Sequence, residues 1–478
     1  MAKPAGGSIS WILWIVLTVA IGGYLAAGML LKSAAGNPLL EPARKLLLPG
    51  KTTHGHYQVE LACESCHTSA FGGREGLQES CERCHGPELK NAGDKHPRSK
   101  FTDPRNADRL EKLDATLCVT CHVEYRPEVT SAMGVTLPRD FCFHCHQDIA
   151  KDRPSHQGMA FDTCNSAGCH KYHDNRALYE DFLAKHLDEP KLLSKRWLPA
   201  RDFARVAAEF PGYPADRFPL KPQTVPDAPP ALMKSQNAVA DWLATAHARS
   251  GVNCSGCHQT EAEGKKNWVE RPDHKVCATC HEPETKGWLS GKHGLRVAEG
   301  LSPMTPGKAR QPMHAKVRDQ AMGCTSCHGA HRFDTKQAAV ESCMNCHSDE
   351  HTAAYKRSPH YVLWQKEIAG ELPPGSGVSC ASCHLPRDEF RPPDGGAKRV
   401  LVQHNQSDNL RPSEKMVRPV CMNCHGFSYS IDALADPKLW KSNFPGDPGI
   451  HIRSVDMVAQ RVQAIEEQRR REAAGRKQ

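Results

Sequence analysis

The sequence has few apolar residues for its length. Apolar side chains make up 39% of the 478 residues, and without the 22 cysteines the share falls to about 34%. That share is thin for so long a chain and argues against a large conventional hydrophobic core. Groups other than aliphatic and aromatic side chains must fill much of the interior.

The chain also has no cysteine outside a paired motif. Ten pairs are followed directly by histidine, as Cys-x-x-Cys-His, at Cys63/Cys66, Cys81/Cys84, Cys118/Cys121, Cys142/Cys145, Cys254/Cys257, Cys277/Cys280, Cys324/Cys327, Cys343/Cys346, Cys380/Cys383 and Cys421/Cys424. The eleventh pair has a longer spacing, Cys164-Asn-Ser-Ala-Gly-Cys169-His170.

This motif is typical of covalent haem attachment, in which two thiols add to the haem vinyl groups and the next histidine binds the iron. We therefore predict eleven haem c groups, with proximal ligands at His67, His85, His122, His146, His170, His258, His281, His328, His347, His384 and His425. Structural zinc and a disulfide framework are the alternatives. Neither explains a histidine after every second cysteine.

The positive formal charge does not indicate a nucleic-acid-binding protein. The chain carries +8, but a bis-histidine ferric haem with two ionised propionates contributes about −1. Eleven such groups would bring the total to roughly −3. We interpret the basic residues as compensation for propionates and expect no nucleic-acid partner.

A single long segment without charge lies near the N-terminus. Ile9 to Leu31 is 23 residues long, enough to cross the hydrocarbon core as a helix. Its length favours a retained anchor over a cleaved signal peptide. Lys32, Arg44 and Lys45 follow the segment, so counting positive charges points weakly to a cytoplasmic location for the chain that follows. Because haem attachment occurs outside the cytoplasm, we instead predict a single-pass protein of the bacterial cytoplasmic membrane with its bulk in the periplasm.

The spacing of the motifs predicts two haem-binding halves. The 83 residues between His170 and Cys254 contain no cysteine and nine prolines, a density that disfavours a continuous helix. The predicted domains are a membrane anchor or uncleaved signal at 1–35, a five-haem domain at 36–186, a Pro-rich linker at 187–245, a six-haem domain at 246–430, and a C-terminal helix with a basic tail at 431–478. The expected fold is mainly α, with irregular loops wrapped around a haem array, an N-terminal transmembrane helix and little sheet.

Histidines outside the motifs are numerous enough to provide a second axial ligand for every iron. There are sixteen, of which His96, His173, His293, His331 and His360 have the most favourable local sequences. A wider set of candidates comprises His54, His56, His156, His186, His247, His274, His314, His351, His404 and His451. For each of them, a surface position or a bond to a propionate is the alternative.

Two family resemblances follow from local sequences. HGHYQVELACESCH and CNSAGCHKYH in the N-terminal half resemble the class III cytochromes, which implies small bis-histidine electron-carrier modules. WLSGKHG, CTSCHGAHRF, CMNCHSDEHTAAYKRSPH and GVSCASCHLPR resemble the hydroxylamine oxidoreductase and multihaem nitrite reductase superfamily, over Val252 to His425. That second resemblance implies distal ligands at His293, His331 and His360. No Cys-x-x-Cys-Lys motif is present, so the lysine-ligated catalytic haem of those reductases is not expected.

The first functional hypothesis is an electron relay between a membrane donor or acceptor and periplasmic or outer-membrane redox proteins, with no catalytic residue. The 31 residues between Leu31 and Cys63 argue against direct quinol oxidation beside the anchor. The alternative is a multihaem oxidoreductase of a small nitrogen or sulfur compound, with one open haem in the C-terminal half near Arg332, Lys356 and Tyr361. The oligomeric state stays open.

Overall fold

The computed structural model divides the chain into two units. The described residues are 6–31, 37–68, 72–164, 172–173, 180–194, 216, 222–233, 236–262, 264–390, 399–410 and 413–475. The N-terminal unit comprises Met1–Tyr179 and Leu295–Ser302, and the C-terminal unit comprises Glu180–Gly294 and Pro303–Gln478. Residues 195–215, 217–221 and 234–235 of the predicted Pro-rich linker lie outside the described residues, as do Cys169 and His170 of the stretched motif. The predicted domain limits stay a prediction.

The N-terminal unit begins with the apolar helix α1 (Gly6–Leu30) and the short helix α2 (Glu41–Leu47). Its further α-helices are short apart from one of 19 residues: Cys63–Cys66, Arg74–Ala92, Arg98–Phe101, Ala107–Lys112, Cys118–Cys121, Phe143–His146, Ile149–Asp152 and Leu295–Ala298. Single 3-10 turns occur at Pro104–Asn106, Ala132–Gly134, Pro154–His156 and Phe161–Thr163.

The described helices of the C-terminal unit are also short, apart from one of 23 residues. The α-helices are Glu180–His186, Gln236–Leu243, Ala246–Arg249, Cys254–His258, His274–Ala278, Glu282–Ser290, Cys324–His328, Thr335–Ala339, Glu341–Cys346, Glu350–Ala354, Pro359–Ile368, Cys380–His384, Ser407–Leu410, Phe427–Ala435, Pro437–Lys441 and Arg453–Gly475. The 3-10 turns are Pro230–Leu232, Pro306–Lys308, Ala315–Val317, Tyr355–Arg357, Ser413–Met416 and Cys421–Asn423.

Strands are few in the described part of the chain. Strands β1 (Gln259–Ala262) and β2 (Lys265–Trp268) form one antiparallel ribbon, and β3 (Arg387–Phe390) and β4 (Arg399–Val402) form another. The prediction of a mainly helical protein with an apolar N-terminal helix and little sheet is confirmed.

Most attachment motifs form one turn of helix. The backbone N–H of the motif histidine donates to the carbonyl of the first cysteine, at 2.7 Å for His67 and Cys63 and at 2.8 Å for His425 and Cys421. A single turn brings residues four apart to one side of the helix. The two thiols and the imidazole of a motif are therefore presented together.

Small clusters of buried apolar residues lie beside some of these turns. In the N-terminal unit, Leu61 and Ala62 pack against Leu301. In the C-terminal unit, Val340, Tyr355 and Trp364 form another cluster. The small size of both clusters agrees with the low apolar content of the sequence.

Candidate haem sites

Imidazole rings meet in pairs throughout both units. Each pair joins a motif histidine to a histidine outside the motifs, with ring centroids 5.8–6.4 Å apart. The nine pairs are His85–His56, His146–His96, His122–His173, His281–His247, His258–His331, His347–His293, His328–His404, His384–His351 and His425–His360. Within the described residues, no three potential protein ligands converge on one metal position.

The separation within these pairs suits a haem iron between the two rings. An iron bonded at about 2 Å to one nitrogen of each imidazole would hold the ring centres roughly 6 Å apart. Two imidazoles packed directly against each other would instead approach more closely. The residues present therefore fit bis-histidine haem c, whose iron supplies one-electron redox chemistry when bound.

Hydrogen bonds fix the orientation of several of these rings. Nδ1 of His122 lies 3.0 Å from the carbonyl oxygen of Gly134, and Nδ1 of His258 lies 2.7 Å from that of Val269. Among the partner histidines, Nδ1 of His96 lies 2.7 Å from a backbone carbonyl oxygen. A carbonyl can only accept, so these Nδ1 atoms carry the proton and Nε2 keeps the lone pair that binds a metal.

Local structure explains the position of His258 in particular. Its motif helix ends at the histidine, and the β1–β2 ribbon follows at once. The indole of Trp268, at the end of β2, stacks on the His258 ring with centroids 5.1 Å apart and planes 8° apart. The ribbon therefore covers one face of this imidazole, and the His331 ring lies with its centroid 5.8 Å from that of His258.

Burial keeps two of the paired imidazoles, His293 and His247, in the neutral form. It lowers the pKa of His293 to about 4, with a smaller contribution from His347. Burial likewise lowers the pKa of His247 to about 4, assisted by His281. A neutral imidazole has the free lone pair that iron binding needs, so both residues are in the ligating form at pH 7.

All five top-ranked distal candidates lie opposite a motif histidine. His96 and His173 do so in the N-terminal unit, and His293, His331 and His360 do so in the C-terminal unit. Four more partners come from the wider candidate set: His56, His247, His351 and His404. Of these four, His247 and His404 lie outside the local sequences that carry the family resemblances. Iron ligation by each histidine stays a prediction.

Two motifs stand apart from the paired ones. His67 is exposed, and no described imidazole lies opposite it. The stretched motif is described only at Cys164, since Cys169 and His170 lie outside the described residues. In the C-terminal unit, all six motif histidines have an imidazole opposite.

Thiols of consecutive motifs lie next to each other. Hydrogen-bonding contacts join the first cysteines of four such pairs of motifs: Cys81 with Cys118, Cys142 with Cys164, Cys277 with Cys324, and Cys343 with Cys380. Second cysteines take part in three further contacts between consecutive motifs. Cys66 lies within electrostatic range of Cys84, Cys327 lies within range of Cys343, and Cys383 lies within range of Cys421. Seven pairs of motifs that are consecutive along the chain are thus also neighbours in space.

Four other second cysteines are placed by the turn of their own motif. The backbone N–H groups of Cys145, Cys280 and Cys424 each donate to the carbonyl of the first cysteine, at 3.2, 3.2 and 3.1 Å. Cys257 lies inside the motif helix Cys254–His258. Cys145 is exposed, whereas Cys257, Cys280 and Cys424 are half-buried. These positions leave each thiol at the surface of its turn, and haem attachment at all four stays a prediction.

Attachment turns with facing imidazoles are the arrangement of a multihaem c-type cytochrome. Two parts of the chain, residues 55–147 and 313–394, match the family model described as cytochrome c3. The first of these agrees with the class III resemblance of the N-terminal half. The resemblance of the C-terminal half to hydroxylamine oxidoreductase stays a prediction.

Two curated relatives are multihaem cytochromes. The chain is 21% identical over 210 residues to the multiheme cytochrome MtrA of Shewanella baltica, covering 40% of this chain and 46% of that protein. It is 25% identical over 206 residues to the high-molecular-weight cytochrome c of Nitratidesulfovibrio vulgaris, covering 38% of this chain and 33% of that protein. The chain thus spans less than half the length of either relative.

A further match, 28% identical over 187 residues to a centrosome-associated protein of Toxoplasma gondii, covers 4% of that protein and carries no argument. No solved structure matches the chain significantly. The family model and the two cytochromes imply covalently bound haem c and a role in electron transfer.

Proposed function

We propose that this protein is a membrane-anchored undecahaem cytochrome c. It relays electrons through bis-histidine haems between a membrane donor or acceptor and periplasmic or outer-membrane redox proteins. The nine facing pairs of imidazoles carry the proposal. An iron with two protein ligands has no open position for a substrate, so it exchanges electrons and does not bind small molecules.

The order of the haems supports a relay. Contacts between the thiols of consecutive motifs bring the attached porphyrins close together, as at Cys81 with Cys118 and at Cys343 with Cys380. Haems held at motifs whose thiols are in contact would pass electrons from one to the next in the order of the chain. This order provides a path along the motifs without any mobile carrier.

Helix α1 supports the membrane anchor. Ile9–Leu30 is long and apolar enough to cross a bilayer, and its side chains are almost all exposed. Trp11 and Trp14 project from one end of the helix and Tyr24 lies towards the other, a distribution that suits the two membrane interfaces. The haem-binding residues that follow would then lie in the periplasm.

The alternative oxidoreductase gains no support from the C-terminal unit. It requires an open iron there, whereas an imidazole lies opposite each of the six motif histidines. Arg332, Lys356 and Tyr361 therefore have no open haem position to serve in that unit.

Carbon monoxide binding to the fully reduced holoprotein tests the relay against the enzyme. Carbon monoxide binds ferrous haem only where an axial position is open. The relay predicts that nine or more of the haems keep their spectra unchanged under carbon monoxide. A Soret shift from any haem of the C-terminal unit, assigned by histidine variants, would contradict the relay. Cofractionation of the full chain with membranes, and its loss when residues 1–31 are removed, tests the anchor separately.

A further inference from the structure

The end of helix α1 is joined to the first haem-attachment motif by one buried arginine. The Arg44 side chain, 1% exposed, donates from Nε to the carbonyl of Gly28 at 3.0 Å and from Nη2 to that of Leu31 at 3.2 Å. On its other side, Nη1 donates to the carbonyl of Leu61 at 2.5 Å and to the Glu64 carboxylate at 2.8 Å. Glu64 lies between the two cysteines of the first motif, so Arg44 connects the apolar helix to that motif directly.

Helices α1 and α2 are packed tightly at the same place. A Cβ atom on Gly28 would lie 2.8 Å from Cβ of Ala43, so the two helices approach closely only because this residue is glycine. The Tyr24 hydroxyl donates to the carbonyl of Leu39 at 2.8 Å, at the start of α2. These contacts bring the first motif close to the end of α1 in space, although 31 residues separate Leu31 from Cys63 along the chain.

Helix α2 leaves an apolar face uncovered. Leu46 and Leu47 of α2 are 76% and 41% exposed, and Leu39, just before the helix, is 78% exposed. The Tyr24 hydroxyl of α1 reaches the Leu39 carbonyl, so this apolar surface adjoins the exposed apolar helix. Lys45, on the same short helix, pairs with Glu41 at 2.8 Å and keeps its charge at the surface. Exposed leucines next to a basic residue are typical of a helix that lies in the membrane interface. The continuity with α1 makes the bilayer the occupant of this face.

The first motif also differs from its neighbours in ligation. His67 is exposed and has no other imidazole opposite it within the described residues, whereas the next three motif histidines along the chain do. Cys66 and His67 are exposed, so the motif that Arg44 holds beside the membrane helix opens to the surface, as the second and fourth motifs also do.

We infer that α2 lies in the membrane interface and that the first motif, held there by Arg44, is where a lipid-dissolved quinol delivers electrons. This inference rests on the proposed anchor and relay. The quinol is oxidised to the quinone and releases two protons to water at the membrane surface. Haem held by Cys63, Cys66 and His67 would accept the two electrons one at a time, and haem held at the second motif would receive them next. An apolar surface continuous with the bilayer favours a donor that is itself dissolved in lipid.

The test uses full-length holoprotein in vesicles of phosphatidylethanolamine and phosphatidylglycerol, with decylubiquinol and menadiol as donors. Leu46→Glu removes apolar contact at an exposed site and should slow haem reduction by either quinol at least tenfold. Val225→Glu, at a position 71% exposed in the other unit, is the matched control and should leave the rate unchanged. Reduction by dithionite should be the same in all three proteins.

A second readout does not depend on turnover. A hydroxyquinoline N-oxide that competes with quinols should perturb the electron paramagnetic resonance signal of the haem that lacks two imidazoles, and should leave the bis-histidine signals unchanged. Equal quinol rates in wild type and Leu46→Glu would overturn the position of α2. If dithionite reduces the haems but neither quinol does, the quinol site is overturned while the relay stands. The same holds if reduction by quinol requires an added membrane redox protein. Failure of the wild type to bind vesicles would contradict the anchor itself.

Discussion

The imidazole planes of His258 and His331 are inclined by only 18°, whereas those of His247 and His281 are inclined by 83°. Two parallel axial imidazoles split the energies of the two iron d orbitals that overlap with them. Perpendicular imidazoles leave those orbitals nearly equal in energy. The angle between the planes therefore determines the shape of the low-spin ferric signal of each haem.

We accordingly predict two groups of low-spin signals in the oxidised protein. Three pairs are nearly perpendicular, at 83–89°, and should give highly anisotropic signals: His281–His247, His384–His351 and His146–His96. Two pairs, inclined at 18° and 23°, should give ordinary rhombic signals: His258–His331 and His122–His173. Low-temperature electron paramagnetic resonance measures both groups, and a spectrum with rhombic signals alone would contradict these ring orientations.

Removal of the His331 side chain should open one haem without damaging the backbone. His331 has φ 64°, a left-handed conformation that glycine adopts more easily than histidine. In His331→Gly, the haem opposite at His258 should become high-spin and bind carbon monoxide, and added imidazole should restore the low-spin spectrum. His314→Gly is the control, since His314 is exposed and faces no motif histidine. Carbon monoxide binding of His331→Gly equal to that of the wild type would show that His331 is not a ligand.

The Glu124 carboxylate should lower the potential of the second haem. Its Oε2 lies 2.7 Å from Nδ1 of His56, the imidazole opposite His85. Burial raises the pKa of Glu124, but hydrogen bonds from His56 and from the Thr53 N–H outweigh it and the net pKa is lowered, so the group is anionic at neutral pH. A carboxylate on the far nitrogen makes an axial imidazole more electron-donating and stabilises ferric iron.

Glu124→Gln should therefore raise the potential of one haem in a spectroscopic redox titration. Glu128→Gln supplies the comparison, because Glu128 pairs with Arg126 at the surface, 2.7 Å away. A titration curve of Glu124→Gln that superimposes on that of the wild type would show that the carboxylate does not act through His56.

Loss of Arg44 should destabilise the N-terminal unit strongly. Arg44→Ala leaves the partly buried Glu64 carboxylate without its 2.8 Å partner and removes hydrogen bonds to three carbonyls. Breaking a buried pair from one side costs about 3–5 kcal/mol. Lys45→Ala removes only an exposed i,i+4 pair with Glu41 and should cost about 0.5 kcal/mol or less. Chemical unfolding followed by circular dichroism compares the two, and equal midpoints would contradict the role of Arg44.

The attachment motifs and the helical fold could be predicted from the sequence because both depend on short-range patterns. A Cys-x-x-Cys-His turn closes within five residues, and an apolar run such as Ile9–Leu30 specifies its own helix. The pairing of imidazoles could not be predicted in the same way. His331 follows the motif of His328 by three residues, yet it faces His258. His173 likewise follows His170 but faces His122.

Long-range packing decides these partners, and local sequence carries no record of it. His404 and His247 have no nearby motif pattern that would rank them above His274 or His451, yet they face His328 and His281. The position of the first motif beside α1 depends in the same way on one arginine 19 residues before Cys63. The burial of Arg44 and its four hydrogen-bond partners cannot be inferred from the presence of a basic residue in a Leu-rich segment.

A count of haems and of their axial ligands tests the central claim most directly. Mass spectrometry of the purified holoprotein gives the number of covalently bound haems, and near-infrared magnetic circular dichroism distinguishes bis-histidine iron from other ligation. The expected result is eleven haems, at least nine of them low-spin with two histidine ligands. Fewer than eleven covalent haems, or three or more haems without a second histidine, would contradict the account.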